Sequence, residues 1–119
     1  RAMQNAVPVG QGSMVAFLGV SIEDIEHFLA LVDSSNGLVE IANDNAPGQV
    51  VVSGNLETLE LLIKLARESG IRKIIRLSVS APFHCSLMKS AAENMKIALE
   101  DVKLQEPSFP IICNLTSIP

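Results

Sequence analysis

The order of secondary-structure signals along this chain predicts an α+β fold: a ferredoxin-like split βαβ unit, followed by a helix and a strand that the unit does not need. Three observations carry the prediction. Four short apolar or alternating runs occur between residues 14 and 79. Two stretches with helical spacing separate them in the order strand–helix–strand–strand–helix–strand. A turn signal, Asn45-Ala46-Pro47-Gly48, sits where that order needs its central hairpin. Two helices laid on one face of an antiparallel sheet bury both apolar stripes at once.

Taken in order, residues 14–20 (MVAFLGV) follow the Gly10–Gly12 punctuation as an apolar run short enough for a buried strand. Ser21 is placed to cap the next helix, and Glu23 and Asp24 fall in its first turn, where the helix dipole favours acids. Ile22, Ile25, Leu29 and Val32 recur at helical spacing, and Asn36-Gly37 supplies the stop. In residues 38–42 (LVEIA), Glu40 points away from Val39 and Ile41, the alternation of a half-buried strand. Gln49-Val50-Val51-Val52 returns as its hairpin partner. Leu56, Leu59, Ile63 and Ala66 form the second helical stripe, closed by Gly70, and Ile75, Leu77 and Val79 alternate with Arg76 and Ser78 as the fourth strand.

Beyond Pro82 a helix is expected over about residues 86–103, with Met88, Ala91 or Ala92, Met95, Leu99 and Val102 on one face. Pro107 and Pro110 stop it, and Phe109 to Cys113 form one further apolar run. A helix and a single strand left over after a complete unit need a second sheet to pack on. The chain also opens at Arg1 and runs straight into Met3-Gln4-Asn5-Ala6-Val7-Pro8. Both features lead to the expectation of a chain cut from something longer, with a tag-cleaved complete protein as the alternative. The expected division is a linker over 1–12, the ferredoxin-like unit over 13–80 and a returning segment over 81–119.

Composition removes several function classes. With 119 residues, 48% hydrophobic and 18% charged, the chain is a globular unit with ample core. No apolar run approaches the roughly 18 residues of a membrane-spanning helix. Net charge is −4, Trp and Tyr are absent and Phe occurs four times. Nucleic-acid binding, which draws on a basic face and stacking aromatics, is disfavoured. Cys85 and Cys113 make no metal or disulfide pattern, and two histidines without clustered carboxylates make no metal site. A reducing cytoplasm is the default expectation.

His84 is the leading candidate for chemistry. It stands in Ser80-Ala81-Pro82-Phe83-His84-Cys85, between a strand and a helix, where loops present functional groups on a rigid scaffold. An imidazole titrates near neutral pH, as a general base must. The same position suits a helix-capping or core histidine. Adjacent side chains usually point apart, so Cys85 is a poor nucleophile partner for it and reads as a small buried thiol. Asn43, Asn45 and Gln49 carry amides that can grip a peptide-like linker, or simply shape a turn. Arg72 and Lys73, with Arg76 nearby, suit either a solvated face or an acidic partner. Gly10-Gln11-Gly12 lacks the third glycine and the preceding strand of a dinucleotide loop, and no serine stands in Gly-x-Ser-x-Gly. Asn114-Leu115-Thr116 matches a glycosylation sequon without any secretory signal.

Several stretches resemble one family. They are Met3-Gln4-x-Ala6-Val7-Pro8, Ile41-Ala42-Asn43-x-Asn45-Ala46-Pro47-Gly48-Gln49-Val50-Val51-x-Ser53-Gly54, Ser78-Val79-Ser80-Ala81-Pro82-Phe83-His84-Cys85-x-Leu87-Met88-Lys89 and Phe109-Pro110-Ile111-Ile112-x-Asn114. In order and spacing they are similar to malonyl-CoA:acyl-carrier-protein transacylases of bacterial fatty-acid synthesis. The resemblance implies a ferredoxin-like subdomain inserted in a larger α/β-hydrolase-like domain, to which the trailing helix and strand belong. It implies transfer of malonyl from CoA to the phosphopantetheine thiol of acyl carrier protein through a seryl ester whose serine lies outside this chain, with no further cofactor and no metal. By the same resemblance His84 is the general base and acid, Asn43, Asn45 and Gln49 line the cleft between subdomains, and Arg72 and Lys73 meet CoA phosphates or the acidic carrier protein. The family's carboxylate-binding arginine falls two residues before Arg1, so Arg1 is not a substrate residue and the chain alone is expected to be inactive. The acyltransferase domain of a polyketide synthase shares the histidine region, though Pro82-Phe83-His84-Cys85 is more similar to the discrete bacterial enzyme. The reading that sets the resemblance aside is a stand-alone ferredoxin-like binding module.

Overall fold

The computed structural model describes residues 2–32 and 37–112. Its elements are α1 (Ala2–Ala6), β1 (Gly12–Leu18), α2 (Ile22–Leu31), β2 (Val39–Ala46), β3 (Gln49–Asn55), α3 (Leu56–Glu68), β4 (Ile74–Arg76) and α4 (Lys89–Glu100), the last preceded by a 3-10 turn over Ser86–Met88. The four strands form one sheet in the order β2–β3–β1–β4, and every neighbouring pair is antiparallel.

Alternation in the strands gives the sheet two distinct faces. Val15 and Phe17 of β1, with Val50 and Val52 of β3, point to the helices, where Ile25 and Phe28 of α2 and Leu59, Leu62, Ile63 and Ala66 of α3 complete the main core. The intervening residues Met14, Ala16 and Val51 point the other way and form a smaller cluster with Ala42, Leu77, Val79 and Phe83. This second face is covered by the chain that follows β4.

Helix α2 begins where the sequence places it. The Ser21 hydroxyl accepts from the Asp24 backbone N–H at 3.1 Å, and the Asp24 carboxylate accepts in return from the Ser21 N–H at 3.1 Å. These two bonds close a capping box. The Ser21 N–H first, and second the Ser21 hydroxyl, which also donates to the carboxylate at 2.9 Å, hold the Asp24 carboxyl below its usual range. α2 ends at Leu31, with Val32 as its C-terminal cap. Asn36, read as part of the stop, lies outside the described residues. At the far end of the sheet, Asn55 does not cap α3 with its side chain. Its Oδ1 accepts instead from Leu38 N–H at 2.7 Å, while its own N–H donates to Leu38 O at 2.8 Å, so the entry to β2 is fixed twice. Gly54 allows the close approach: a Cβ there would stand 2.2 Å from Leu38 O and 2.7 Å from Val39 Cα.

Two expectations need correction. The fourth strand stops at Arg76 rather than continuing through Val79. Leu77 N–H still donates to Met14 O at 3.0 Å, but Val79 N–H then closes on Leu77 O, and the chain bends across the second face. Leu77 and Val79 keep the face their alternation assigns while leaving the ladder. The second correction concerns the trailing segment. Of the predicted stripe α4 buries Ala91 and leaves Met95, Leu99 and Val102 exposed, as a helix in need of a further sheet would; what needs correcting is the strand after it. Residues 104–112 carry no regular structure, and the end of the predicted final strand, Cys113, lies outside the described residues. At the other terminus, residues 2–6 form a short helix that packs on α4 and on the 3-10 turn.

Candidate functional site

The segment after β4 first goes into the protein and then back out. Ala81 and Pro82 are fully buried, and Pro82 lies so close to β1 that a Cβ on Gly12 would come within 2.6 Å of its ring. Two residues later His84 is exposed. Its backbone sits in the left-handed region, with φ of 56°, and no other non-glycine residue does so among the described residues. That conformation costs an L-residue about 1–2 kcal/mol and persists only where neighbouring contacts enforce it.

Several contacts enforce it here. Phe83 N–H donates to Ala81 O at 3.1 Å, and Met88 N–H donates to Cys85 O at 3.0 Å. The Cys85 thiol donates to Pro82 O at 3.0 Å, closing the turn across His84. Cys85 is thus a clasp of the turn, and it is half-buried rather than the small buried thiol expected from the sequence. The last contact is long-range. Glu40, 46 residues earlier on β2, accepts from Ser86 N–H at 2.7 Å and also from the Ser86 hydroxyl. Glu40 pairs directly with Ser53, whose hydroxyl is fully buried and has no partner among the described residues. Both therefore belong to the second face, beneath the crossing chain.

The other candidates distribute along that sheet. Asn43 shares the second face: β2 shifts register between Ile41 and Asn43, and Asn43 pairs with Val51. Its amide donates to Asn45 Oδ1 at 3.4 Å. Asn45 is exposed, and Gln49 pairs with Leu18 at the hairpin end of the sheet. Arg72 and Lys73 lie at that same end, for Leu18 N–H donates to Lys73 O at 2.9 Å and Gly19 N–H to Gly48 O at 2.7 Å. From Gly12, against which the Pro82 ring rests, to Leu18 is about 20 Å at the usual rise of a strand. The structure therefore gathers Asn45, Gln49, Arg72 and Lys73 at one end, His84 at the other, and leaves Asn43 between them. Arg76 leaves the basic group altogether: its guanidinium donates to Glu60 of α3 at 2.6 Å. That bond lowers the Glu60 carboxyl and raises the Arg76 guanidinium from their ordinary values.

Among the described residues no cluster of His, Cys, Asp and Glu is arranged to hold a metal ion, and no helix is long and apolar enough to cross a membrane. His27 is an exposed helical residue whose ring lies 6.1 Å from that of Phe28. The site residues that sequence reading missed are Glu40 and Ser86.

The chain is similar in structure to proteins named as malonyltransferases or malonyl-transacylases of acyl carrier proteins. The acyl-carrier-protein-S-malonyltransferase of Bartonella henselae superposes with a TM-score of 0.81 at 44% identity, over 99% of this chain and 37% of that one. A malonyl-transacylase solved in complex with a type II polyketide-synthase acyl carrier protein gives a TM-score of 0.83 at 35% identity, over 99% of this chain and 38% of the other. Among curated relatives, the malonyl CoA-acyl carrier protein transacylase of Bacillus subtilis is 41% identical to this chain over 115 residues, 97% of this chain. The match takes in 36% of that relative's length, so the chain corresponds to about a third of such a protein. No family model matches the chain.

Proposed function

We propose that this chain is the C-terminal part of an enzyme that moves malonyl from CoA to the phosphopantetheine thiol of acyl carrier protein, and that His84 is its general base and acid. The observation that carries the reading is the exposed, left-handed His84 turn, locked from both sides within the stretch that most resembles the family. The strand order β2–β3–β1–β4 with two helices on one face supports assigning 13–80 to a ferredoxin-like subdomain. Residues 1–12 and 81–119 then connect it to an α/β-hydrolase-like domain, whose surface would cover the exposed Met95, Leu99 and Val102. The chemistry needs no metal and no resident cofactor, and the cytoplasm supplies both substrates.

In the first half-reaction the His84 imidazole accepts the proton of a serine outside this chain as that oxygen attacks the malonyl thioester carbonyl. The C–S bond breaks, and the imidazolium returns the proton to the departing CoA thiolate. In the second half-reaction the imidazole takes the pantetheine thiol proton, sulfur attacks the seryl ester, the C–O bond breaks and the proton goes back to the serine oxygen. Asn43 is the amide best placed to contact the pantetheine arm, because it shares the second face of the sheet. Asn45, Gln49, Arg72 and Lys73 form an outer patch suited to CoA phosphates or to an acidic carrier protein.

Intact mass after mixing malonyl-CoA with the complete protein tests the reading. The wild type gains one malonyl group, and His84→Ala gains it slower by a factor on the order of 10² or more. A complete protein that gains no malonyl group refutes the proposal and favours a binding module.

A further inference from the structure

We propose that Glu40 is a positioning residue for His84, acting through Ser86; the inference rests on the catalytic reading of His84 and adds to it. Glu40 touches neither the imidazole nor any reacting atom. Its carboxylate reaches from β2 to the N–H and hydroxyl of Ser86, so both of its oxygens are engaged by one residue. Beside the packing of Phe83 on the second face and of α1 on the 3-10 turn, two contacts to the strands bound the turn that carries His84. Upstream, Pro82 is wedged on Gly12 of β1. Downstream, Ser86 is tied to Glu40 of β2. β1 and β2 both pair with β3, so the two supports belong to one rigid sheet.

Local bonds alone leave the turn underdetermined. Phe83–Ala81, Cys85–Pro82 and Met88–Cys85 bonds shape it internally but do not fix its placement over the second face. Without Glu40, Pro82 on Gly12, Phe83 in the second cluster and α1 against the 3-10 turn still hold the segment, but by apolar packing that leaves it freer to pivot and carry His84 with it. The Glu40–Ser86 contact removes the pivot. An ionised acceptor taking a backbone N–H and a hydroxyl together makes a strong, directional tie. A strained φ at His84 needs such over-determination to persist.

The test uses the complete protein and three variants: Glu40→Ala, Glu40→Gln and Ser86→Ala. Gln keeps a carbonyl acceptor for the Ser86 N–H while losing the second acceptor, and Ser86→Ala removes only the hydroxyl donor on an exposed residue. Two readouts are taken. The first is kcat and KM for malonyl transfer; the second, independent of activity, is the NMR signal of the His84 imidazole. Glu40→Ala is expected to lower kcat by about tenfold to a hundredfold with KM within about twofold, since a misplacement of roughly 1 Å at a catalytic group costs rate rather than binding. Glu40→Gln recovers part of that loss, and Ser86→Ala loses less than Glu40→Ala. The imidazole signal moves or broadens in the same order. The proposal is overturned if the signal is unchanged in Glu40→Ala, whatever happens to kcat, or if kcat stays within twofold while the signal moves. If the wild type transfers no malonyl, the catalytic reading of His84 fails by itself, and the imidazole signal still reports whether Glu40 holds the turn.

Discussion

Substituting Gly12 by alanine separates the placement of His84 from the chemistry proposed for it. An added Cβ would stand 2.6 Å from both Cδ and Cγ of Pro82 and 3.2 Å from its Cβ. Carbon atoms settle about 3.5–4.0 Å apart, so one side must retreat by roughly 1 Å. Gly12 pairs with Asn55 in the middle of the sheet's strand order, and the proline ring has no rotamer with which to yield. The movement therefore falls on the segment that carries His84 two residues later. Overpacking of this kind costs typically about 1–3 kcal/mol of stability. A shift of about 1 Å in a catalytic group reduces rate on the order of 10²-fold. The assay is the single-turnover rate of malonyl transfer in the complete protein, with a urea melt of the same sample. Adding Pro82→Ala to Gly12→Ala removes the two clashing atoms, Cγ and Cδ, and should recover part of the stability. Gly12→Ala with a transfer rate within twofold of wild type would refute the idea that this contact seats the turn.

Two further outcomes follow from the packing. Gly54→Ala drives a Cβ into the backbone of Leu38 and Val39, prising β2 from β3 and straining the bonds between Asn55 and Leu38. A loss of about 2–4 kcal/mol is expected in urea denaturation, and a loss under about 1 kcal/mol contradicts the geometry. The Glu60–Arg76 pair supplies a pH dependence. Because Arg76 lowers the folded-state pKa of Glu60, the pair's contribution is complete above the ordinary carboxylate pKa of about 4.3 and fades as pH falls through the lower folded value. Both side chains are about half exposed, at 52% and 45%, so solvent screening keeps the contribution below about 1 kcal/mol. The difference in urea midpoint between wild type and Glu60→Gln should shrink from pH 7 to pH 2.5. A difference that grows on acidification would reverse the assignment.

The main elements of the fold were legible because each carries its own local signal. Ser21 and Asp24 announce the start of α2, and the stripe of Leu59, Ile63 and Ala66 has no other use than a buried helical face. The end of β4 was not legible, for a physical reason. Alternation reports which face a side chain takes, and Leu77 and Val79 do take the face it assigns. It does not report whether the backbone still pairs, and the ladder ends once Ala81 and Pro82 are drawn under the second face. α1 escaped notice because a five-residue helix has little stability of its own and forms against α4.

The site divides along the same line. His84 was singled out from its place between a strand and a helix, and the left-handed backbone it takes there carries no signal in the sequence. Glu40 was read only as the member of a half-buried strand that points away from Val39 and Ile41, since nothing within its neighbourhood in sequence accounts for an acid there. The topology does. Once β2 is an edge strand and the chain after β4 crosses the second face, the side of β2 turned from the helices is a covered side. It carries Ala42 and, across the pair, Ser53, neither of them a residue that marks open solvent. A carboxylate on such a side has to meet a donor, and the donors it can reach belong to the crossing chain. The pattern to look for is therefore an acid whose strand parity matches small or apolar neighbours on a face that the chain order must cover. By that criterion Glu40 was recoverable as a candidate anchor, while the identity of Ser86 as its partner required the three-dimensional path of the turn.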